Sequence, residues 1–260
     1  MKTEIVRRLT PEEEELARKR EDLAAVRAAL AERELELADF RSQLAMFQGR
    51  YMRQVGVPYA ELDDWQARIA ELQAKLDGSE SVREWAAQAR EQARTTYDAA
   101  HGEASKAPDF QPSADLKALF REVAKRIHPD FAKDTEDAER RTRAMAQANE
   151  AYRRGDAESL QRILAEYRDV SDSIPGEGIG AELVRIIRQI AHAKKRLAAI
   201  EQELGELRQS EIALFWQDAK AAQREGRDLL AELAARAREQ IAKAQREHDA
   251  LSRGVEPRGR

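Results

Sequence analysis

The tripeptide His128-Pro129-Asp130, with the cations just ahead of it, holds the residues whose types and spacing could do chemistry in this sequence. Lys117, Arg121 and Lys125 fall at successive i, i+4 positions, so a helix carries them on one face, with Arg126 beside the last of them. An imidazole and a carboxylate held on either side of a rigid proline form a polar turn that a partner could read. Taken alone, His-Pro-Asp is only a helix stop, and a row of cations is an ordinary solvated face. Nothing else suggests a reaction centre. His101, His128, His192 and His248 share no ligand spacing, and without cysteine no thiolate zinc site or cysteine nucleophile can be assembled. The glycines of IPGEGIG lack a following Lys-Ser/Thr, and no strand pattern precedes them, so they make no phosphate loop. The many carboxylates read as solvated helix faces. The chain is therefore expected not to be an enzyme and to need no metal or cofactor.

The elements that position the tripeptide lie between residues 113 and 168. Leu116, Leu119, Phe120, Val123 and Ile127 form one apolar stripe on a short helix, with Ser113 as its cap and Asp115 in its first turn. Pro129 ends that helix, because proline disfavours helical geometry in the preceding residue. Thr135 is the expected cap of a second helix carrying Met145, Ala148 and Tyr152 and stopping at Gly155; Asp156 caps a third with Leu160, Ile163, Leu164 and Tyr167. Three short capped helices with facing stripes predict a small bundle.

Long heptad arms flank the bundle. Leu16, Leu23, Val26, Leu30, Leu37, Phe40, Leu44 and Phe47 hold a and d spacing from Pro11 onward, interrupted only by Lys19 and Arg33. Gly49, Gly56 and Pro58 read as the breakers of a turn, after which Leu62, Trp65, Ile69, Leu72 and Leu76 make a second seam. Two seams joined by a short turn predict an antiparallel hairpin over 1–100, its second arm pausing at Gly78 and resuming through Trp85. A polar linker over 101–112 leads to the bundle, and another over 169–180 leads away from it. A C-terminal helix pair is expected over 181–252, from the seam Leu183, Ile186, Ile190, Ala193, Leu197, Ile200, Leu204 and Leu207 to a second seam at Ile212, Phe215, Ala219, Ala222, Gly226, Leu229 and Leu233. Residues 253–260 are expected to fray. Whether the heptads close within the chain or against a second copy or a partner helix is open.

Composition agrees with an all-α fold. Charged residues make up 36% of the 260 residues and aromatics 5%, with just 12 glycines, while apolar residues still reach 42%. Such a mixture favours long helices and is too apolar for disorder. With 45 basic and 49 acidic residues the net charge is −4, which recruits neither nucleic acid nor an anionic membrane. From Gly180 onward 16 Lys/Arg stand against 13 Asp/Glu with no basic block, so that segment is no nucleic-acid arm. The start, MKTEIVRRLTPEEEE, has no apolar run that could be a signal peptide, and nowhere do 18 apolar residues follow one another. Together with the absence of cysteine, this gives a cytoplasmic expectation.

LFREVAKRIHPD, from Leu119 to Asp130, resembles the second helix and loop of the J-domain, the DnaJ family module that activates DnaK-type ATPase chaperones. MAQANEAY, from Met145 to Tyr152, is similar to that family's third helix. The resemblance covers about Leu116 to Arg154. It implies that His128-Pro129-Asp130 is the tripeptide through which the partner's ATP hydrolysis is triggered, with Asp130 held toward solvent to pair with an arginine of the chaperone. It implies too that Lys117, Arg121, Lys125 and Arg126 form the positive face that meets an acidic surface. Both loop side chains then lie at a helix end, where replacement is expected to leave stability nearly unchanged.

The family's first helix has no counterpart ahead of Ser113, and the arm with Trp85 and Tyr97 is the candidate to supply its packing. Glu122 stands where the family is often basic. No Gly/Phe-rich segment or cysteine-rich module is present for general client binding. The expected function is a J-domain cochaperone that stimulates a DnaK-type ATPase, its coiled-coil arms serving dimerisation or recruitment. The alternative is a coiled-coil scaffold whose central bundle is a degenerate J-like spacer without an ATPase partner.

Overall fold

The computed structural model of the chain describes residues 10–102, 111–168 and 178–255. Among these residues every regular element is helical. In chain order they are α1 (Pro11–Tyr51), a π-helical turn (Met52–Gly56), α2 (Val57–Asp77), α3 (Glu80–His101), α4 (Ala114–Ile127), a 3-10 turn (Pro129–Phe131), α5 (Thr135–Arg154), α6 (Ala157–Glu166), α7 (Ile179–Gln209), α8 (Glu211–Arg224) and α9 (Leu229–Val255). No helix of the described residues is long and apolar enough to cross a membrane. Most of both expected linkers, 103–110 and 169–177, lies outside the described residues, as does 256–260 of the expected frayed tail; α9 continues past Arg253 to Val255.

The compact units do not follow chain order. One draws on Met1–Ser42 and Phe110–Gln209, the other on Gln43–Asp109 and Ser210–Arg260.

In the first unit α1 and α7 zip together. Leu16, Leu23, Leu30 and Leu37 of α1 share a core with Ile186, Ala193, Ile200 and Leu204 of α7. Arg20 reaches Glu182 (2.7 Å), Arg196 reaches Glu34 (2.7 Å) and Arg41 pairs with Glu203, each across the same interval of 162 residues. A constant interval means parallel helices in fixed register. Lys19 and Arg33, which break the apolar seam, join ion pairs at its edge: Lys19 with Asp22, and Arg33 with Glu36 and with Glu201 of α7. Neither expected antiparallel closure occurs here, since α1 takes α7 rather than α2, and α7 takes α1 rather than α8.

The reason lies partly in the expected turn at Gly49–Pro58, which is no turn. Tyr51, Gly56 and Val57 all keep right-handed helical angles. Pro58 lacks the amide that would continue the helical ladder, and its ring crowds the preceding turn. The π-helical turn absorbs that misfit, Val57 donating its N–H to the Met52 carbonyl.

In the second unit the reversal falls at Gly78 instead, in the left-handed region at φ +72. α3 then packs back antiparallel on α2: Thr96 donates to Asp63 (2.7 Å), and Arg90 bonds both Asp64 and Glu71 (2.7 Å each). Buried Ala86, Ala93 and Ala100 of α3 recur every seven residues, as do Ala60 and Ala67 of α2, so the two helices can approach closely. Gly226 was expected within the last seam; it ends α8 with φ +78, and Arg227 donates its N–H to the Ala222 carbonyl. α9 starts beside the π-helical turn, where Leu230 meets Phe47 and Val55, and passes Trp65 at His248. It therefore runs in the direction of α2.

Candidate functional site

Local sequence rules build the turn that carries the tripeptide. The Ser113 hydroxyl accepts the Leu116 N–H (3.1 Å) and starts α4. At the other end the pre-proline residue His128 leaves the helix at ψ 132, and Pro129–Phe131 form a single 3-10 turn. α5 is capped by Asp134, whose carboxylate accepts the Asp137 N–H at 2.8 Å, rather than by Thr135, which becomes the first helical residue. Gly155 ends α5 at φ +73 and Asp156 caps α6. Leu116, Phe120, Val123 and Ile127 meet Met145, Ala148, Tyr152, Leu160 and Ile163 in one core, with the Phe120 and Tyr152 rings 4.8 Å apart.

The packing expected from a missing first helix comes from α1. Ala31 and Leu35, with Ala38 beside them, enter the bundle core, and the Tyr152 hydroxyl donates to Asp39 at 3.0 Å. Burial and the Asp39 carboxylate push the Tyr152 phenol well above its ordinary range. Trp85 and Tyr97 take no part; both are exposed on α3 in the second unit.

Four residues of the tripeptide loop meet four different fates. His128 is 2% exposed. Its Nδ1 accepts the Asp130 N–H (3.2 Å), so the proton sits on Nε2, which donates to Glu34 (3.2 Å). Pro129 is half-buried. Phe131 enters the α1–α7 seam, with the Arg27 guanidinium 4.5 Å from its ring centre, and its carbonyl accepts from the buried Gln189 amide (3.1 Å). Asp130 is the one loop group left available. Its side chain is 23% exposed, lining an open groove with Lys133, Arg185 and Arg188. Its Oδ2 is screened from solvent and accepts no hydrogen bond among the described residues, with His128 Nδ1 3.8 Å away.

The expected positive face is divided. Lys117 pairs with Asp39 (3.0 Å) and Arg121 with Glu32 (2.9 Å), both acids belonging to α1. Arg126 turns away to the carbonyls of Tyr167 and Arg168 at the end of α6. Lys125 is exposed, as is Glu122.

Two buried ionic groups fix this arrangement, and both lay beyond the sequence reading. Glu34 is 4% exposed and bonds both His128 and Arg196. Burial alone would raise its pKa, but the hydrogen bonds from His128 and Arg196 outweigh burial and hold it below its ordinary 4.5. Arg141 and Asp137 pair within α5 (2.8 Å); Arg141 joins α5 to α4 by donating to the Arg126 carbonyl (2.9 Å), and Asp137 accepts the Lys133 N–H (3.1 Å). The available signal for α1 was the i, i+4, i+7 stripe of Ala31, Leu35 and Ala38 beside the heptad seam, a second apolar face on a helix that needs only one for a zipper.

A stability test follows from Glu34. Its pKa is lower in the folded chain than in the unfolded one, so protonation favours unfolding. The stabilisation it provides is complete above about pH 5 and is lost as pH falls through the depressed folded value. Thermal melts of wild type and Glu34→Gln should differ most near pH 7 and converge toward pH 3; a constant difference across that range would remove Glu34 from the acid response.

The four-residue loop and the α1 acids against it make up the site; among the described residues no group of side chains is placed to hold a metal ion. No protein-family model, curated protein or solved structure matches the chain.

Proposed function

We propose that this chain is a J-domain-like cochaperone of a DnaK-type ATPase, acting in the cytoplasm, with Asp130 as its contact to the partner and no chemistry of its own. The observation that carries the reading is the geometry of Asp130. A proline-fixed turn between α4 and α5 holds a partly exposed carboxylate at the wall of an open groove, its Oδ2 without a donor, while the residues on either side of it are locked. A carboxylate so placed can accept a charge-assisted hydrogen bond from an arginine of a partner at its open edge. The Phe120–Tyr152 packing and the capped α4 and α5 support the same reading, and the α1–α7 zipper supplies a rigid frame.

The test is ATP hydrolysis by the purified DnaK-type chaperone in single turnover. Asp130→Asn is expected to abolish stimulation while changing stability by about 0.5 kcal/mol or less, as for a surface position. His128→Gln is a poorer probe than its place at a helix end suggested, because the imidazole is buried against Glu34 and its loss destabilises the fold. Stimulation that survives Asp130→Asn would overturn the reading. The second reading, a scaffold with a J-like spacer, is favoured by the burial of His128 and by the ion pairs over Lys117 and Arg121. Wild-type protein and every variant giving no stimulation would establish it.

A further inference from the structure

We infer that α1 is an internal competitor for the partner-binding face, so that a DnaK-type chaperone engages this chain only when α1 lifts from α4. The inference rests on the cochaperone reading and adds its control. Glu32 and Asp39 lie seven residues apart on α1, two turns of helix, and meet Arg121 and Lys117, which lie four apart on α4. An acidic stripe thus already occupies the cations that an acidic partner surface would take. Between them on α1, Glu34 holds the His128 imidazole, so one helix segment covers both the cation row and the loop.

The cover is built to be held and released as a piece. Its apolar attachment to the bundle is small, through Ala31 and Leu35 with Ala38, while its Leu30 and Leu37 face α7 instead. Arg196 and Gln189 of α7 brace the same assembly, Arg196 on Glu34 and Gln189 on the Phe131 carbonyl. Phe131 stays seated in the α1–α7 seam, so α1 parts from α4 at this edge while the loop remains anchored, exposing Lys117 and Arg121 and freeing His128 from Glu34. The Arg121–Glu32 pair is exposed and the Lys117–Asp39 pair only partly buried, so salt screens the first and weakens the second, which suits a contact that must open. Asp130, outside the cover, is left to make first contact with the partner.

The experiment uses the full chain and the purified DnaK-type ATPase, with three forms. Glu32→Gln with Asp39→Asn removes the competing charges from the exposed edge while leaving an acceptor for Tyr152. Glu34→Gln releases the loop from the buried side. Glu32→Cys with Arg121→Cys, in a chain that has no other cysteine, accepts a short thiol cross-linker that can be cleaved by reductant. The charge-removed form is expected to bind at least threefold tighter than wild type, and Glu34→Gln to do the same if it melts as a folded protein. Relative to the same double-cysteine variant before cross-linking, the cross-linked form should lose at least tenfold in ATPase stimulation, recovered to that variant's own level when reductant cleaves the bridge. Hydrogen exchange should show α4 amides less protected in the charge-removed form. Stimulation by wild type that neither rises with charge removal nor falls with cross-linking would overturn this inference and leave the cochaperone reading standing. No stimulation by wild type or by any opened form would overturn both.

Discussion

Replacing Arg141 with methionine is expected to cost the first unit about 3 kcal/mol, the lower end for removing one partner of a buried ion pair. The side chain is 1% exposed and is among the largest fully buried ones of the described residues. Its removal strands Asp137, which keeps the outer guanidinium of Arg140 but loses its inner one, and leaves the Arg126 carbonyl at the end of α4 without its donor. Methionine fills much of the volume, so the loss is of pairing rather than of packing. Adding Asp137→Asn should therefore cost less than it does alone, because the stranded charge is gone. Hydrogen exchange of the α4 and α5 amides measures the change within this unit. Strict additivity of the two replacements would show that the pair is not coupled. Since both residues grip the segment from Arg126 to Lys133, the same variant should also blunt any response that depends on Asp130.

Local structure was legible where one residue decides it. Ser113, Asp156 and Gly155 cap or stop their helices as their types require, and the stripe from Leu116 to Ile127 faces the core it implied. The heptads likewise named the seam residues correctly: Leu16, Leu23, Leu30 and Leu37 on one side, Ile186, Ala193, Ile200 and Leu204 on the other. What they could not name was the partner. A heptad seam is satisfied by any helix of matching period, and proximity in sequence favours a hairpin, whereas α1 pairs with α7 in parallel, across the whole intervening bundle. Parallel neighbours need a long connection, and a reading that moves along the chain closes the nearest pair first. Pro58 misled for a related reason. It marks a break in backbone bonding, but a π-helical turn accommodates that break while the backbone keeps helical angles.

The site was legible as a motif and not as an environment. The spacing of Lys117, Arg121 and Lys125 placed them on one face, yet the burial of that face depends on Glu32 and Asp39, which stand nearly ninety and eighty positions away. Charged residues on a long helix read as solvent-facing, and that default fails when the helix is covered on two sides. Glu34 shows the failure most directly, as an acid beside a leucine seam that turns out to hold an imidazole and a guanidinium away from water.

Phe131→Ala is expected to be the most costly single change near the loop, about 3–5 kcal/mol, as for truncating a fully buried aromatic ring. The ring is 1% exposed and sits among Leu23, Leu30 and Ile186 in the α1–α7 seam rather than in the bundle core. Its removal opens a cavity between two parallel helices that are joined otherwise by side chains at heptad spacing, and it unseats the Arg27 guanidinium stacked on its face. The loss reaches Asp130 through chain continuity, because Phe131 follows it directly and anchors the far end of the 3-10 turn. With the anchor gone, His128 and Asp130 lose their fixed separation even though neither is altered. Phe131→Leu keeps most of the apolar volume and should cost less than half as much. Hydrogen exchange should show faster opening of α1 and α7 together in the alanine variant, and under the proposed cochaperone function ATPase stimulation should fall with it and return in the leucine variant. A cost below about 0.5 kcal/mol, the scale of an ordinary surface change, would place the ring outside the seam and detach the loop from the zipper.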